Sequence, residues 1–195
     1  MSIQLIVGLG NPGRMYQKTR HNAGFWFIQS LISQFTVEQP LKLDKKYKGL
    51  VGKLVIDSKK YLVLEPQTYM NDSGFSIAAF INFYKIAASN ILVAHDELDF
   101  PSGKIYLKFG GGHAGHNGLR NIIQHIGADF WRLRIGIGHP KHKSLVHDYV
   151  LKQPSLDQKK QINSSIQAIL PLMPRLLAGH FEQVMCQLHT QSQIR

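Results

Sequence analysis

His21 lies in Thr19-Arg20-His21-Asn22-Ala23-Gly24, a polar stretch at the start of a helical pattern rather than on an apolar face. An imidazole there can accept a proton from water near neutral pH, the first requirement of a general base. A carboxylate bonded to the other ring nitrogen would fix the tautomer and stabilise the imidazolium that forms. Asp96 suits that task, because the most apolar run of the chain, Ile91-Leu92-Val93-Ala94, leads straight into His95-Asp96-Glu97. Taken alone, His21 reads equally well as a helix cap or a nucleic-acid contact. No serine or cysteine nucleophile is evident by motif, so hydrolysis by an activated water fits better than an acyl-enzyme.

Three asparagines accompany them, in Gly10-Asn11-Pro12, Tyr69-Met70-Asn71 and His116-Asn117-Gly118. A carboxamide is both donor and acceptor, so it can hold a substrate amide or a developing oxyanion without carrying charge. Asparagines at turns are commonly only turn formers. Their company with His21 and Asp96 is what argues for a shared site.

Two competing chemistries are weaker. Gly8-Leu9-Gly10-Asn11-Pro12-Gly13 is a literal GxGxxG after an apolar run, but a dinucleotide fingerprint needs a helix starting within the glycines and an acid about 20 residues on. The first acidic residue of the chain is Glu38, Pro12 removes a backbone N–H from the turn, and Arg14, Lys18 and Arg20 follow instead. A metal site could draw on His95, Asp96, Glu97 and Asp99, or on His113 and His116. The latter pair sits in a glycine loop rather than at helical spacing, and HExxH is absent, so no catalytic metal is expected. That loop, Gly110-Gly111-Gly112-His113-Ala114-Gly115, has Lys108 before it and Arg120 after it. It could cradle a phosphate at a helix N-terminus or act as a mobile lid.

The elements that must position these residues read as an α/β pattern. Ile3–Val7 predicts a strand; Phe25, Ile28, Leu31, Ile32 and Phe35 predict a helix over residues 23–35 that packs on a sheet, with His21 at its start. Residues 50–56 and 61–64 predict strands joined by Asp57-Ser58-Lys59-Lys60, a hairpin and therefore a mixed sheet. A helix over 74–85, strands over 91–94, 105–109 and 132–137, and a helix bearing Leu119, Ile122, Ile123 and Ile126 follow. The last forty residues are helical in pattern, with a kink or break at Pro171 and Pro174. The prediction is a single α/β domain over residues 1–195, a twisted mixed β-sheet flanked by helices. In such sheets ligands collect beyond the carboxyl ends of strands, which is where Asn11 and Asp96 fall.

Composition narrows the partners. Lys plus Arg outnumber Asp plus Glu by 23 to 12, for a formal charge of +11 and a pI near 9.8, with ten histidines in addition. A polyanionic partner is favoured, although charge alone does not separate RNA from DNA or an anionic membrane. The chain has no apolar run of about 18 residues and no signal-type N-terminus, which predicts a soluble, intracellular protein. The only cysteine, Cys186, excludes an intrachain disulfide, a CxxC pair and a thiolate zinc cluster, and is expected as a small buried side chain.

Taken in order, Gly8 to Gly13, Tyr16, Thr19 to Asn22, Thr68-Tyr69-Met70-Asn71-Asp72-Ser73-Gly74, His95 to Asp99 and Gly110 to Gly118 resemble the bacterial peptidyl-tRNA hydrolases. The resemblance extends through Arg132 to Pro140 and Asp148 to Leu151. It implies a monomeric, cytoplasmic α/β enzyme that hydrolyses the ester between peptide and tRNA, with no metal or organic cofactor and no obligate protein partner. By the same resemblance His21 is the base and Asp96 its support. Asn11 holds the peptide part and helps reject an unblocked aminoacyl group, while Asn71 and Asn117 place the substrate and polarise its carbonyl. Tyr16 and Tyr69 match positions that contact the tRNA-linked substrate, and Lys108 and Arg134 match basic positions associated with tRNA phosphates. Two residues depart from the pattern: Glu65 where lysine is frequent, expected to weaken a basic surface, and Ala114 where glycine is usual, expected to stiffen the loop. A non-catalytic RNA-binding module, in which His21→Ala costs nothing, and a nucleotide-dependent oxidoreductase, stabilised by NAD or NADP, remain as alternative readings.

Overall fold

Strand β1 (Leu5–Gly8) is buried at every residue because it runs through the middle of the sheet, between parallel β4 (Lys59–Pro66) and parallel β5 (Ile91–Glu97). A computed structural model describes residues 2–191; residue 1 and residues 192–195, the ends of the predicted single domain, lie outside the described part. The remaining strands are β2 (Thr36–Asp44), β3 (Gly49–Ile56), β6 (Ile105–Phe109) and β7 (Trp131–Gly136), giving one seven-stranded sheet in the order β2-β3-β4-β1-β5-β7-β6. β7 is parallel to β5, whereas β2, β3 and β6 each pair antiparallel to a neighbour. The mixed α/β sheet is as the sequence predicts.

Helices cover both faces, because side chains alternate across a strand while each helix has one apolar stripe to bury. On one face Ile6, Leu92 and Ala94 meet Phe27, Ile28 and Leu31 of α1 (Ala23–Gln34). The same cluster takes in Ile162 and Ile166 of α5 (Leu156–Ile169), Leu176 of α6 (Met173–Ala178) and Val184 of α7 (Phe181–Gln191). On the other face Leu5, Val7 and Val93 meet Ile77 and Phe80 of α2 (Ser73–Tyr84) and Ile122 of α3 (Asn117–Ile126). Each such side chain contributes about 1.5–3 kcal/mol on burial, so the two clusters hold the sheet rigid beneath its loops.

The predicted hairpin is present, with a tighter turn: β3 and β4 pair from Gly49↔Pro66 to Ile56↔Lys59, leaving Asp57 and Ser58 at positive φ as a two-residue loop. Pro171 falls in a 3-10 turn (Leu170–Leu172) between α5 and α6, and Pro174 in the first turn of α6, where a missing N–H costs nothing. Two features differ from expectation. β2 has no strand signature, since it carries Pro40 and is largely exposed; it lies at the sheet edge, where register shifts accommodate the proline. Cys186 is exposed, not buried, because Phe181, Val184 and Leu188 form the inward face of α7 and position 186 points away from it. Among the described residues no helix is long and apolar enough to cross a membrane.

Candidate active site

The loops after β1, β4 and β5 all leave the carboxyl edge of the central parallel strands, and their side chains converge there. β1 and β5 run side by side from Leu5↔Ile91 to Gly8↔Ala94, so the segment bearing Asn11 and the end of β5 bearing Asp96 emerge together. His21 arrives from a 3-10 turn (Arg20–Asn22) that opens α1. That turn sits directly on the sheet because two glycines face each other: a Cβ on Gly8 would strike the Gly24 carbonyl, and one on Gly24 would strike the Leu9 backbone. A Cβ on Gly10 would strike the Phe25 ring. Gly8 and Gly10 of the GxGxxG therefore serve the packing of loop against helix, and Gly13 serves a turn at positive φ, which removes the ground for a dinucleotide site.

The Nδ1 of His21 lies 2.9 and 3.0 Å from the two carboxylate oxygens of Asp96. With Asp96 ionised, Nδ1 donates and Nε2 is left as the ring's acceptor. His116 adds a second imidazole: its Nε2 is 3.0 Å from Asp96 Oδ1, and its Nδ1 accepts the Leu119 backbone N–H at 3.2 Å as the N-cap of α3. A nitrogen that accepts carries no proton, so the cap places the His116 proton on Nε2, facing Asp96. Asp96 is 3% exposed and His21 8%. Burial alone would push the Asp96 carboxyl up, but the charges and hydrogen bonds of His21 and His116 hold it well below the usual carboxylate range. Behind it, His95 is pushed down to about 3, chiefly by burial and then by His116, and donates from Nδ1 to the Asp96 carbonyl at 2.7 Å. His95 is thus a neutral structural residue.

The amides are oriented as well. Asn11 Oδ1 accepts the Met70 N–H at 2.8 Å, leaving its Nδ2 as the group on offer. The Asn11 backbone is held in turn by Asn22, whose Oδ1 accepts Asn11 N–H at 2.9 Å while its Nδ2 donates to the Asn11 carbonyl at 3.0 Å. Asn117 Oδ1 accepts from Arg120 Nη1 at 3.2 Å, which again leaves an N–H₂ donor.

Asn11, His21, Tyr69, Asn71, Asp96 and Asn117 all line one cavity of about 790 Å³. Tyr16 stands just outside, its ring edge-on to that of Tyr69 with centroids 6.4 Å apart. Lys108 and Arg134 do not line the cavity. They share one face of the β6–β7 pair with the buried Arg132, where Lys108 opposes Arg132 and Arg134 donates from Nε to Glu97 at 2.8 Å. Arg132 itself donates to the Gly111 and Gly112 carbonyls and so shapes the glycine loop.

His116, Arg120 and Asn22 are the residues that sequence reasoning missed as partners of this site. His116 was legible only as a candidate metal ligand beside His113 and by its position immediately before a helix in a glycine-rich loop. A further wall of the cavity, with no role foreseen for it, is built by Val146 and Val150 of α4 (Val146–Val150) with His139, Lys143 and Leu151. Of the two candidate metal sets, His95, Asp96, Glu97 and Asp99, and His113 with His116, only Asp96 and His116 enter a group of the required geometry, and they do so with His21. One ligand atom each from His21, Asp96 and His116 lie within 4.8 Å of one another, the single group among the described residues able to hold a metal ion. Hydrogen bonds among the three already account for that proximity. Glu65, expected to weaken a basic surface, is 3% exposed and accepts from Gln29 Nε2 at 3.1 Å beneath α1, so it contributes to no surface.

Comparison with known proteins identifies the family. A family model described as peptidyl-tRNA hydrolase matches residues 5–195. The chain is 52% identical over 189 residues to a peptidyl-tRNA hydrolase of Coxiella burnetii, covering 96% of this chain and 98% of that one. It is 49% identical over 189 residues to one from Psychrobacter arcticus, covering 97% of each. A crystal structure of peptidyl-tRNA hydrolase from Acinetobacter baumannii superposes with a TM-score of 0.92 at 48% identity, over 95% of this chain and 94% of that one. A match that runs through the same loops that build the cavity, at about half of all positions, means that this chain belongs to the peptidyl-tRNA hydrolase family and is a hydrolase.

Proposed function

We propose that this chain cleaves the ester between a peptide and the 3′ end of tRNA by attack of a water that His21 activates. The observation that carries the reading is the buried carboxylate of Asp96 bonded to His21 Nδ1, which leaves Nε2 as the ring's acceptor in a cavity ringed by amide donors. As water adds to the carbonyl, Nε2 takes its proton and Asp96 stabilises the imidazolium. The carbonyl oxygen becomes an oxyanion that the Asn117 amide, with Asn71 beside it, stabilises; one such donor is worth roughly 10²-fold in rate. Collapse expels the ribose oxygen, which takes the proton back. An ester can proceed with this modest equipment because its leaving group needs little help, which spares the peptide bonds.

Asn11 supplies selectivity. With Oδ1 committed to Met70, its free Nδ2 donates to a carbonyl of a blocked amino group, whereas a free α-ammonium meets a donor and no acceptor. Tyr69, 59% exposed at the rim, with Tyr16 behind it, offers a surface for the tRNA-linked end of the substrate. The basic face of β6 and β7 around Lys108 and Arg134 takes phosphates, where contacts position without reading sequence. The chain works as a monomer in the cytoplasm, without a metal or organic cofactor.

The test is release of N-acetyl-aminoacyl groups from tRNA by wild type and His21→Ala, with EDTA present and unblocked aminoacyl-tRNA as control. Cleavage is expected from wild type alone and on the blocked substrate alone, with tRNA binding retained by the variant. A folded, tRNA-binding wild type that cleaves nothing would favour a binding module, and normal turnover by His21→Ala would remove it as the base.

A further inference from the structure

We propose that Arg20 is a positioning residue that ties the turn carrying His21 to the α4 wall of the cavity, and so sets the space in which the ester must fit. The inference rests on the reading of His21 as the base. Arg20 is buried, and its Nη1 donates to the carbonyls of Tyr149 and Lys152, both at 3.1 Å, while Nη2 donates to Gln158 Oε1 at 2.9 Å. Its guanidinium carbon lies 3.9 Å from the centroid of the Tyr149 ring, and its backbone N–H donates to the Lys152 carbonyl at 3.2 Å. The far side of this clamp is anchored in turn: Tyr149 Oη donates to the Ile137 carbonyl at 2.8 Å, and Gln158 belongs to the capping box that starts α5.

The choice of residue is costly for stability alone. Among the described residues no carboxylate pairs with Arg20, and its Nε is buried without a hydrogen-bond partner. An apolar residue of similar volume would join two segments at a lower desolvation cost. What it would lack is the planar fork, which defines both distance and rotation of the carbonyls it holds. The carbonyls held here end α4, whose Val146 and Val150 line the cavity together with Leu151. His21 is the next residue in the chain after the clamp. Any displacement of α4 is therefore passed to the base through one peptide bond, and misplacement of reacting groups by about 1 Å is enough to cost 10²-fold in rate.

The test compares wild type with Arg20→Lys, Tyr149→Phe and the double variant. Lysine keeps the charge but not the fork, and phenylalanine keeps the stacking ring but releases the bond to Ile137. Amide hydrogen exchange over residues 146–152 is read without substrate, and KM, kcat and the pH profile of kcat are read on N-acetyl-aminoacyl-tRNA. Arg20→Lys is expected to speed exchange in that segment, raise KM about five- to tenfold and lower kcat about tenfold beyond any loss of folded fraction, with an unshifted pH profile. The Tyr149→Phe effect should be non-additive with it, as for residues sharing one network. Unchanged exchange in 146–152, or an unchanged KM with kcat falling only as the folded fraction falls, would reduce Arg20 to a structural residue. A shifted pH midpoint would instead make it an electrostatic partner of His21 and overturn the positioning role. If wild type proves inert towards the ester, the exchange measurement still decides whether the clamp exists, which separates the two failures.

Discussion

Asp96 illustrates how little of a residue's chemistry is its own. A carboxylate with two imidazole N–H groups on it is an acceptor saturated on one side, and its ionisation is secured against the burial that would otherwise neutralise it. His116 has two separable tasks, donating to Asp96 and capping α3. His116→Ala is expected to lose both, lowering thermal stability by about 1 kcal/mol through the cap and lowering kcat through a less firmly held Asp96. His116→Asn restores an oxygen at the cap position but no equivalent donor at that reach, so melting temperature should recover while kcat stays low. Recovery of both would mean that the cap alone mattered.

At the scale of elements, the glycine loop shows how one substitution bears on motion. Ala114 has φ near 45°, a conformation that costs a residue with a Cβ about 1 kcal/mol. Ala114→Gly relieves that cost but enlarges the freedom of the unfolded chain by a similar 0.4–1 kcal/mol, roughly offsetting it. The expected outcome is a melting temperature nearly unchanged and faster amide exchange across residues 110–116, with slower exchange as the contrary result. The strand pair next to this loop carries a second prediction. Lys108→Ala should raise KM on full-length tRNA substrates and lower the slope of log KM against log salt by about one. Its kcat on an acylated adenosine should not move, and a kcat loss there would place Lys108 in the chemistry. Arg134 is a poorer probe, because removing it takes the ion pair from the buried carboxylate of Glu97 beside Asp96 and leaves it the Asp99 N–H at 3.1 Å.

For the molecule as a whole, Glu65 links pH to stability. Its carboxyl, walled in between β4 and α1, is raised from 4.5 to about 7 by burial, with the Gln29 hydrogen bond opposing the shift. Between those values the folded state holds a proton that the unfolded chain releases, so stability falls as pH rises from about 4.5 to 7 and levels off above. Glu65→Gln keeps the shape and removes the titration. The variant should be more stable than wild type by about 3 kcal/mol at pH 8 and equal to it at pH 4, measured by denaturant unfolding at both. Equal stability at both pH values would show that water reaches the carboxylate.

Periodicity and strand ends suffice, from sequence alone, for the order of strands and helices other than β2 and α4, the mixed sheet, the break at Pro171 and the placing of Asn11 and Asp96 at carboxyl ends, because these depend on neighbours a few residues away. The pairing of His21 with Asp96 spans 75 positions, and as a reading it needed chemical logic to connect two motifs. Only the tertiary structure decided the rest. β2 forms because β3 offers an edge, not because its own residues favour it. Cys186 is exposed because α7 turns its other side to the sheet, and Glu65 is buried because α1 lies over it. His116 reaches Asp96, and Arg20 reaches the carbonyl of a residue 132 positions away, because the sheet brings those loops to one edge. Local pattern encodes which way a segment folds, whereas a polar contact between distant segments exists only once the packing of everything between them has been settled.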